Sequence, residues 1–559
     1  MFDPARPLII QSDRTVLLEV GSPAYAEVRD AIAPFAELEK SPEHIHTYRI
    51  TPLSVWNAAA TGLNTGQILE TLQRYAKYPV PKNVAREVEQ WIARYGKIRL
   101  ETRDGRMELV TEDLPVLAEA CRSKLLEPYL RSELADGRVA VDPAFRGHVK
   151  QALLKIGYPV EDLAGYVQGG KLDLSLRPTS LEGKPMSLRA YQRASVDAFW
   201  QGGTVRGGSG VVVLPCGAGK TIVGIGVMER CRTKTLILTT HTIAVRQWRD
   251  EILDKTSLGE DDVAEYTGES KNVRPVTIAT YQILTYRRSK VGPFTHFDLF
   301  KRNDWGLIVY DEVHLLPAPV FRITAEIQAT RRLGLTATLV REDGQEEDVF
   351  TLIGPKRFDV PWKVLEQQGW IATATCLEVR VGLPDDLRME YALADNRTKF
   401  RLSSENANKI AVVQRLAAKH RDDQVLVIGQ YLDQLEMLAR VLGAPLITGK
   451  TPNRDRQKLY DDFRDGRLKL LIVSKVGNFA IDLPDANVLV QVSGTYGSRQ
   501  EEAQRLGRIL RPKPNGQAAF FYSLVTRDTR DQDFASNRQL FLTEQGYSYR
   551  ILDEHELAV

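Results

Sequence analysis

Apolar residues recur along this chain with two periods, and the period changes from one stretch to the next. Residues 8–11 and 15–19 read as short strands. Residues 24–38 and 53–75 carry a helical spacing, the latter interrupted at Gly62 and stopped before Pro79 and Pro81. Residues 1–125 therefore predict a small α/β or winged-helix-like unit. Residues 130–180 predict strand–helix–strand, with a strand at 138–141, a helix near 147–157 and a last element around 172–176. Pro178, Gly183 and Pro185 then break the periodicity, with polar Glu182 and Lys184 between them, and mark a linker.

From Leu188 the pattern changes. Short β-branched runs alternate with helical segments, as in a parallel sheet covered by helices. One series places strands at 210–214, 235–240, 276–280, 307–311 and 334–338. A second places them at 425–429, 445–448, 468–474, 488–493 and 519–525. Two such units of ~150 residues predict two similar lobes with a cleft between them. The expected division is 1–125, 126–185, a first lobe at 186–346, an inter-lobe segment at 347–408 and a second lobe at 409–559.

Composition narrows the class only a little. The chain has 559 residues, 43% hydrophobic and 26% charged, with a net charge of +3. That is ordinary for a soluble globular protein and too long for one core. It is no polycation, so any nucleic-acid contact must come from local basic surface. Cys121, Cys216, Cys231 and Cys376 show no CxxC spacing, which argues against a disulfide framework or a thiolate zinc site. The first residues lack a basic head followed by a long apolar run, and no run approaches the ~20 residues of a membrane span. A reducing cytoplasm is the expected home.

The chemistry is carried by segments at strand ends. Leu214-Pro215-Cys216-Gly217-Ala218-Gly219-Lys220-Thr221 follows a strand and opens a helix. Gly217 and Gly219 let the backbone turn its N–H groups inward, Lys220 suits the β- and γ-phosphates of ATP, and Thr221 can give Mg²⁺ an oxygen. Asp311-Glu312-Val313-His314 closes an apolar run about ninety residues later. Asp311 is placed to hold Mg²⁺ and Glu312 to polarise the attacking water, two jobs that phosphoryl transfer needs side by side. A solvated acidic turn would look the same in isolation. Gln192 precedes the phosphate loop and either reads the adenine edge or is an ordinary surface amide. Thr336 and Thr338 could link the nucleotide edge to a nucleic-acid edge. In the second series Gln504-Arg505-Leu506-Gly507-Arg508-Ile509-Leu510-Arg511 sets Arg508 and Arg511 on one helical face, as arginine fingers or as a basic surface. Asp482 ends a loop after a strand and could couple nucleotide to backbone binding, or be a plain turn.

Taken in order, these segments resemble the superfamily 2 helicases, and more closely the XPB family in its free-standing bacterial form. Gln192, the loop at 217–221, a DNA-contacting motif at 239–248, Asp311–His314, Thr336–Thr338, the loop at 475–484 and the run at 504–511 match the helicase set. Arg341, Glu342 and Asp343 match the family's short RED element, implicated in unwinding, and 385–408 its thumb-like insertion. Residues 1–125 resemble the family's amino-terminal domain, and 130–180 a damage-recognition-like portion.

The resemblance implies two RecA-like lobes behind small α/β domains. It also implies an ATP- and Mg²⁺-dependent 3′-to-5′ DNA helicase on forked, tailed or damaged DNA in repair, with strand annealing besides. Thr240, His241, Arg246, Lys475 and Arg499 are the expected footprint on phosphates, hence indifferent to base sequence. A bacterial, nucleoid-associated setting is expected, with any cutting left to a partner nuclease. No long extension follows Phe541, so no place in a large transcription-factor complex is expected. Three readings compete. A double-strand translocase that remodels protein–DNA complexes is one, and RNA unwinding is disfavoured by the resemblance. A non-hydrolysing ATP-gated module is disfavoured because Lys220, Thr221, Glu312, Arg508 and Arg511 are all present.

Overall fold

The computed structural model describes residues 3–42, 44–134, 137–215, 217–289, 294–301, 303–316, 318–328, 330–337, 346–360, 362–474, 486–494, 506–507, 519–544, 547 and 549–557. They fall into two compact units. The first comprises Met1–Glu39, Glu43–Leu214 and Gly219–Asp359; the second is Val360–Val559 with the short stretches Lys40–Pro42 and Pro215–Ala218.

The first unit opens with a sheet ordered Leu8–Ile10, Thr15–Glu19, Ile45–Arg49, Glu37–Lys40. Its helices are Pro52–Ala60, Thr65–Tyr75 and Lys82–Arg94. Thr51 and Asn64 start the first two, each accepting an N–H three residues on. The helix expected over 24–38 ends at Ile32, and 37–40 turns into strand.

A second sheet runs Leu130–Leu134, Arg138–Val141, Arg106–Val110, Arg99–Arg103, Glu161–Asp162. Asp104 and Gly105, both with positive φ (50° and 76°), close its 99–110 hairpin with the twist that such turns favour. The helices Leu114–Cys121 and Arg146–Lys155 add to its core, around Leu100, Leu109, Leu117, Val139 and Leu153. The division expected at 125/126 therefore runs through this sheet, because strand pairing joins 99–110 to 138–141. Around 172–176 there are only isolated bridges, such as Leu176 with Thr256.

Next comes a parallel sheet ordered Val263–Tyr266, Val276–Thr280, Thr235–Thr239, Leu307–Asp311, Arg331–Thr336, Ser209–Val213, Lys356–Asp359. Its inner strands are apolar and buried on both faces, as helices on each side require. Each fully buried Val, Ile or Leu here contributes ~1.5–3 kcal/mol. Pairing sets Val213 opposite Thr336 and Asp311 opposite Leu335, so three functional segments emerge together at the carboxyl edge.

This lobe is stitched to the small domains before it. Asp162 is ion-paired to Arg146 (2.7 Å) and Lys150 (3.2 Å), and the Lys150 ammonium also donates to Gln328 Oε1 (3.0 Å). Buried Arg332 donates to the Leu352 carbonyl (2.7 Å) beside them. Burial, with Arg332 and Arg146 nearby, pushes Lys150 down to about 7 against the pull of Asp162. The Lys356 N–H donates to Asn57 Oδ1 (3.1 Å), and Arg357 donates to the carbonyls of Ala60 (3.2 Å) and Arg206 (2.6 Å). A cavity of about 350 Å³ lies among these parts, lined by Tyr95, Lys150, Glu161, Ser209 and Arg357 among others.

The second unit holds another parallel sheet, ordered Leu446–Ile447, Leu470–Ser474, Val425–Gly429, Val488–Gln491, Ala519–Thr526, Ala374–Val381, Tyr549–Asp553. Residues 347–408 are thus shared out: Lys356–Asp359 completes the first lobe's sheet and Ala374–Val381 belongs to the second's. The stretch matched to a thumb forms helices Arg388–Leu393 and Asn396–Ser404. Among the described residues no helix is long and apolar enough to cross a membrane.

Candidate nucleotide site

The loop after Leu214 turns on two glycines in the left-handed region, Gly217 (φ 80°) and Gly219 (φ 79°). A Cβ at Gly219 would be strained and would lie 2.7 Å from Gln192 Nε2. Gly219 precedes the helix Lys220–Cys231, and no side chain caps that helix. The positive end of its dipole therefore favours an anion there. Gln192 is buried, and its Oε1 accepts from the Arg189 N–H (3.0 Å). The amide that sequence left between two roles is no ordinary surface glutamine.

At the start of the helix Lys220–Cys231, Lys220 Nζ meets Glu312 Oε1 at 2.8 Å. Glu312 itself has φ 50°, a conformation costing of order 1–3 kcal/mol for a residue with a side chain. Asp311 is held from two sides: Trp248 Nε1 donates to its Oδ2 (3.0 Å) and the Tyr281 hydroxyl to its backbone carbonyl (2.9 Å). His314 Nδ1 lies 2.6 Å from Thr336 Oγ1 and 3.5 Å from Glu312 Oε2. Burial raises Asp311, and the neighbouring Glu312 raises it further. Burial acts on Glu312 too, but the Lys220 ammonium and His314 outweigh it and hold that carboxyl below its ordinary value. The two acids are pushed apart, with Glu312 kept ionised as a base requires.

Of the expected DNA-contact residues, His241 caps the helix Thr242–Lys255, its Nδ1 accepting from the Ala244 N–H (3.1 Å). Thr240 precedes it at the end of strand Thr235–Thr239, and Arg246 pairs with Glu269 (3.2 Å). Lys220, Asp311, Glu312 and Thr336 are brought together, with Thr221 in the first turn of the helix Lys220–Cys231. Thr338, Arg341, Glu342, Asp343, Lys475, Asp482, Arg499, Gln504, Arg508 and Arg511 lie outside the described residues. Sequence reasoning placed Trp248 only within the DNA-contacting motif at 239–248 and gave no role to Tyr281, because no spacing rule aims an indole N–H at a carboxylate some sixty residues away or a hydroxyl at a backbone carbonyl thirty away.

Comparison with known proteins decides the family. The ERCC3/RAD25/XPB C-terminal helicase family matches residues 365–558, the Type III restriction enzyme res subunit family 185–341, and the helicase conserved C-terminal domain family 8–135. The protein named DNA 3′-5′ helicase XPB in Kineococcus radiotolerans is 55% identical over 99% of this chain and 97% of its own. Its namesake in Mycobacterium tuberculosis is 55% identical over 99% and 98%. The chain belongs to the XPB helicase family. The Saccharomyces cerevisiae member, named a general transcription and DNA repair factor IIH helicase/translocase subunit, is 32% identical over 98% of this chain and 72% of its own. Among solved structures, the DNA-bound Type ISP restriction-modification enzyme LlaBIII shares the fold, with a TM-score of 0.50 at 12% identity over 66% of this chain and 31% of that one.

Proposed function

We propose that this chain uses ATP hydrolysis to move 3′ to 5′ along DNA and separate its strands. The observation that carries the reading is the Lys220–Glu312 pair, next to Asp311 and at the start of the helix that follows Gly219. XPB-family membership and the 3′-5′ helicase names of relatives at 55% identity support the polarity and the substrate. Lys220 turns from Glu312 to the phosphates when ATP enters, which frees the carboxylate to orient water. Thr221 and Asp311 fit Mg²⁺, a hard cation that takes oxygen ligands and, when bound, neutralises charge on the phosphate oxygens. Arg508 and Arg511 serve as fingers on the γ-phosphate, and Arg341, Glu342 and Asp343 act in strand separation. Forked, tailed or damaged DNA and a role in repair follow from the family resemblance.

The test pairs ATP hydrolysis with strand displacement on 3′-tailed, 5′-tailed, forked and blunt DNA and on matched RNA. Displacement of 3′-tailed and forked DNA, at the cost of ATP, is expected. Displacement confined to RNA or to 5′-tailed DNA overturns the reading. Arg511→Ala should retain ATP affinity and lose DNA-stimulated turnover by ~10³-fold or more. Turnover restored by excess DNA would make Arg511 a phosphate contact instead.

A further inference from the structure

Trp248 is among the largest fully buried side chains of the first unit, at 1% exposure, yet its one polar atom is spent on a carboxylate of the nucleotide edge. Its ring is clamped. A Cβ at Gly224, in the helix that follows the phosphate loop, would collide with the indole, and the same position faces Leu335 of the strand Arg331–Thr336. The indole therefore sits against two elements of the nucleotide edge while its backbone belongs to a third, the helix Thr242–Lys255. That helix starts at His241, directly after Thr240, where DNA contacts are expected.

We infer that Trp248 is a positioning residue: its indole N–H holds the Asp311 carboxylate in the orientation that receives the metal, and ties that orientation to the helix Thr242–Lys255. The inference rests on reading Asp311 as the metal-holding carboxylate. A core tryptophan whose N–H merely finds an acceptor is the competing account. It predicts that removing the N–H while keeping the ring changes stability alone. A hydrogen bond that orients a metal-holding carboxylate predicts instead a loss of ~10–100-fold in metal affinity.

The experiment uses the full chain with Trp248→Phe and, as a closer isostere, 3-benzothienylalanine at position 248, which keeps the bicyclic ring and replaces N–H with sulfur. Mn²⁺ affinity in the ADP complex is measured by electron paramagnetic resonance, independently of turnover, alongside unfolding temperature and ATP hydrolysis against free Mg²⁺. Weakened Mn²⁺ binding with turnover partly restored by high Mg²⁺ is expected. If either folded variant binds Mn²⁺ like the parent, the inference is overturned. Asp311→Asn separates the two levels. Unchanged Mn²⁺ binding in that variant removes the metal assignment itself, whereas its loss there with none at position 248 removes only the role of Trp248.

Discussion

Each lobe carries a lysine paired with a carboxylate, and the two pairs are built for different work. In the second lobe Lys409 meets Asp531 at 2.9 Å and the Val492 carbonyl at 3.1 Å, with both side chains only 1% exposed. Asp531 also accepts from the Thr526 N–H (3.1 Å), and Arg538 lies 3.7 Å from its other oxygen. That pair is sealed on every side. In the first lobe Lys220 and Glu312 are 12% and 19% exposed, at the start of the helix that follows Gly219. Distance does not distinguish them, at 2.8 and 2.9 Å. Access does: a closed pair holds the fold, and an open one can exchange partners when an anion arrives.

The largest expected effect breaks the open pair. Glu312→Gln keeps the side chain's shape and removes the base, so turnover should fall by about 10²–10⁴-fold with nucleotide binding and unfolding temperature preserved. Near-normal hydrolysis would mean the catalytic carboxylate lies elsewhere. Breaking the closed pair should act on stability instead. Asp531→Ala leaves Lys409 as an unpaired buried charge and should cost about 3–5 kcal/mol in denaturant unfolding. A loss under ~1 kcal/mol would show that Lys409 is satisfied by carbonyls alone.

A third pair sharpens the contrast through pH. Burial and neighbouring arginines depress Lys150 to about 7 in the folded chain, well below its ordinary value of 10.5. The unfolded chain therefore binds more protons between those values, so stability from this group is complete above 10.5 and fades as pH falls through 7. The parent should gain stability from pH 7 to 10 relative to Lys150→Met, as followed by thermal unfolding; parallel curves would refute the assignment. The smallest effect concerns His314. Thr336→Val removes its 2.6 Å hydrogen bond and should lower turnover about 2–10-fold while raising the ATP consumed per base pair opened. Unchanged coupling would leave that contact a packing detail.

Several inner strands of both lobes were legible because they are apolar on both faces, although the inner strand Ala374–Val381 was not. Those at 235–239, 276–280, 307–311 and 425–429 match what the residue pattern predicts within a residue. Strands Val263–Tyr266, Lys356–Asp359 and Tyr549–Asp553 were not, since each lies at a sheet edge and is partly exposed, so its alternation is diluted by charge. The site was legible where chemistry depends on local spacing, as at 217–221 and 311–314. It was illegible where tertiary pairing makes the contact: Arg146, Asp162 and Arg332 share one cluster yet stand far apart in sequence.

The bonds from Lys356 and Arg357 to Asn57 and Ala60 join residues almost three hundred positions apart. A ribosome adding ~5–20 residues per second would take about 15–60 s to make the later partners after the earlier ones. Through that interval Asn57 and Ala60 of the helix Pro52–Ala60 wait for these partners, and the strand Ser209–Val213, once made, waits first for Arg331–Thr336 and then for Lys356–Asp359. Completion of the amino-terminal domains is therefore timed by the last strand of the first lobe. A chain halted before residue 356 would carry an open sheet edge, a feature that protein quality control reads as unfinished, and would lack the bonds joining the helix Pro52–Ala60 to the first lobe.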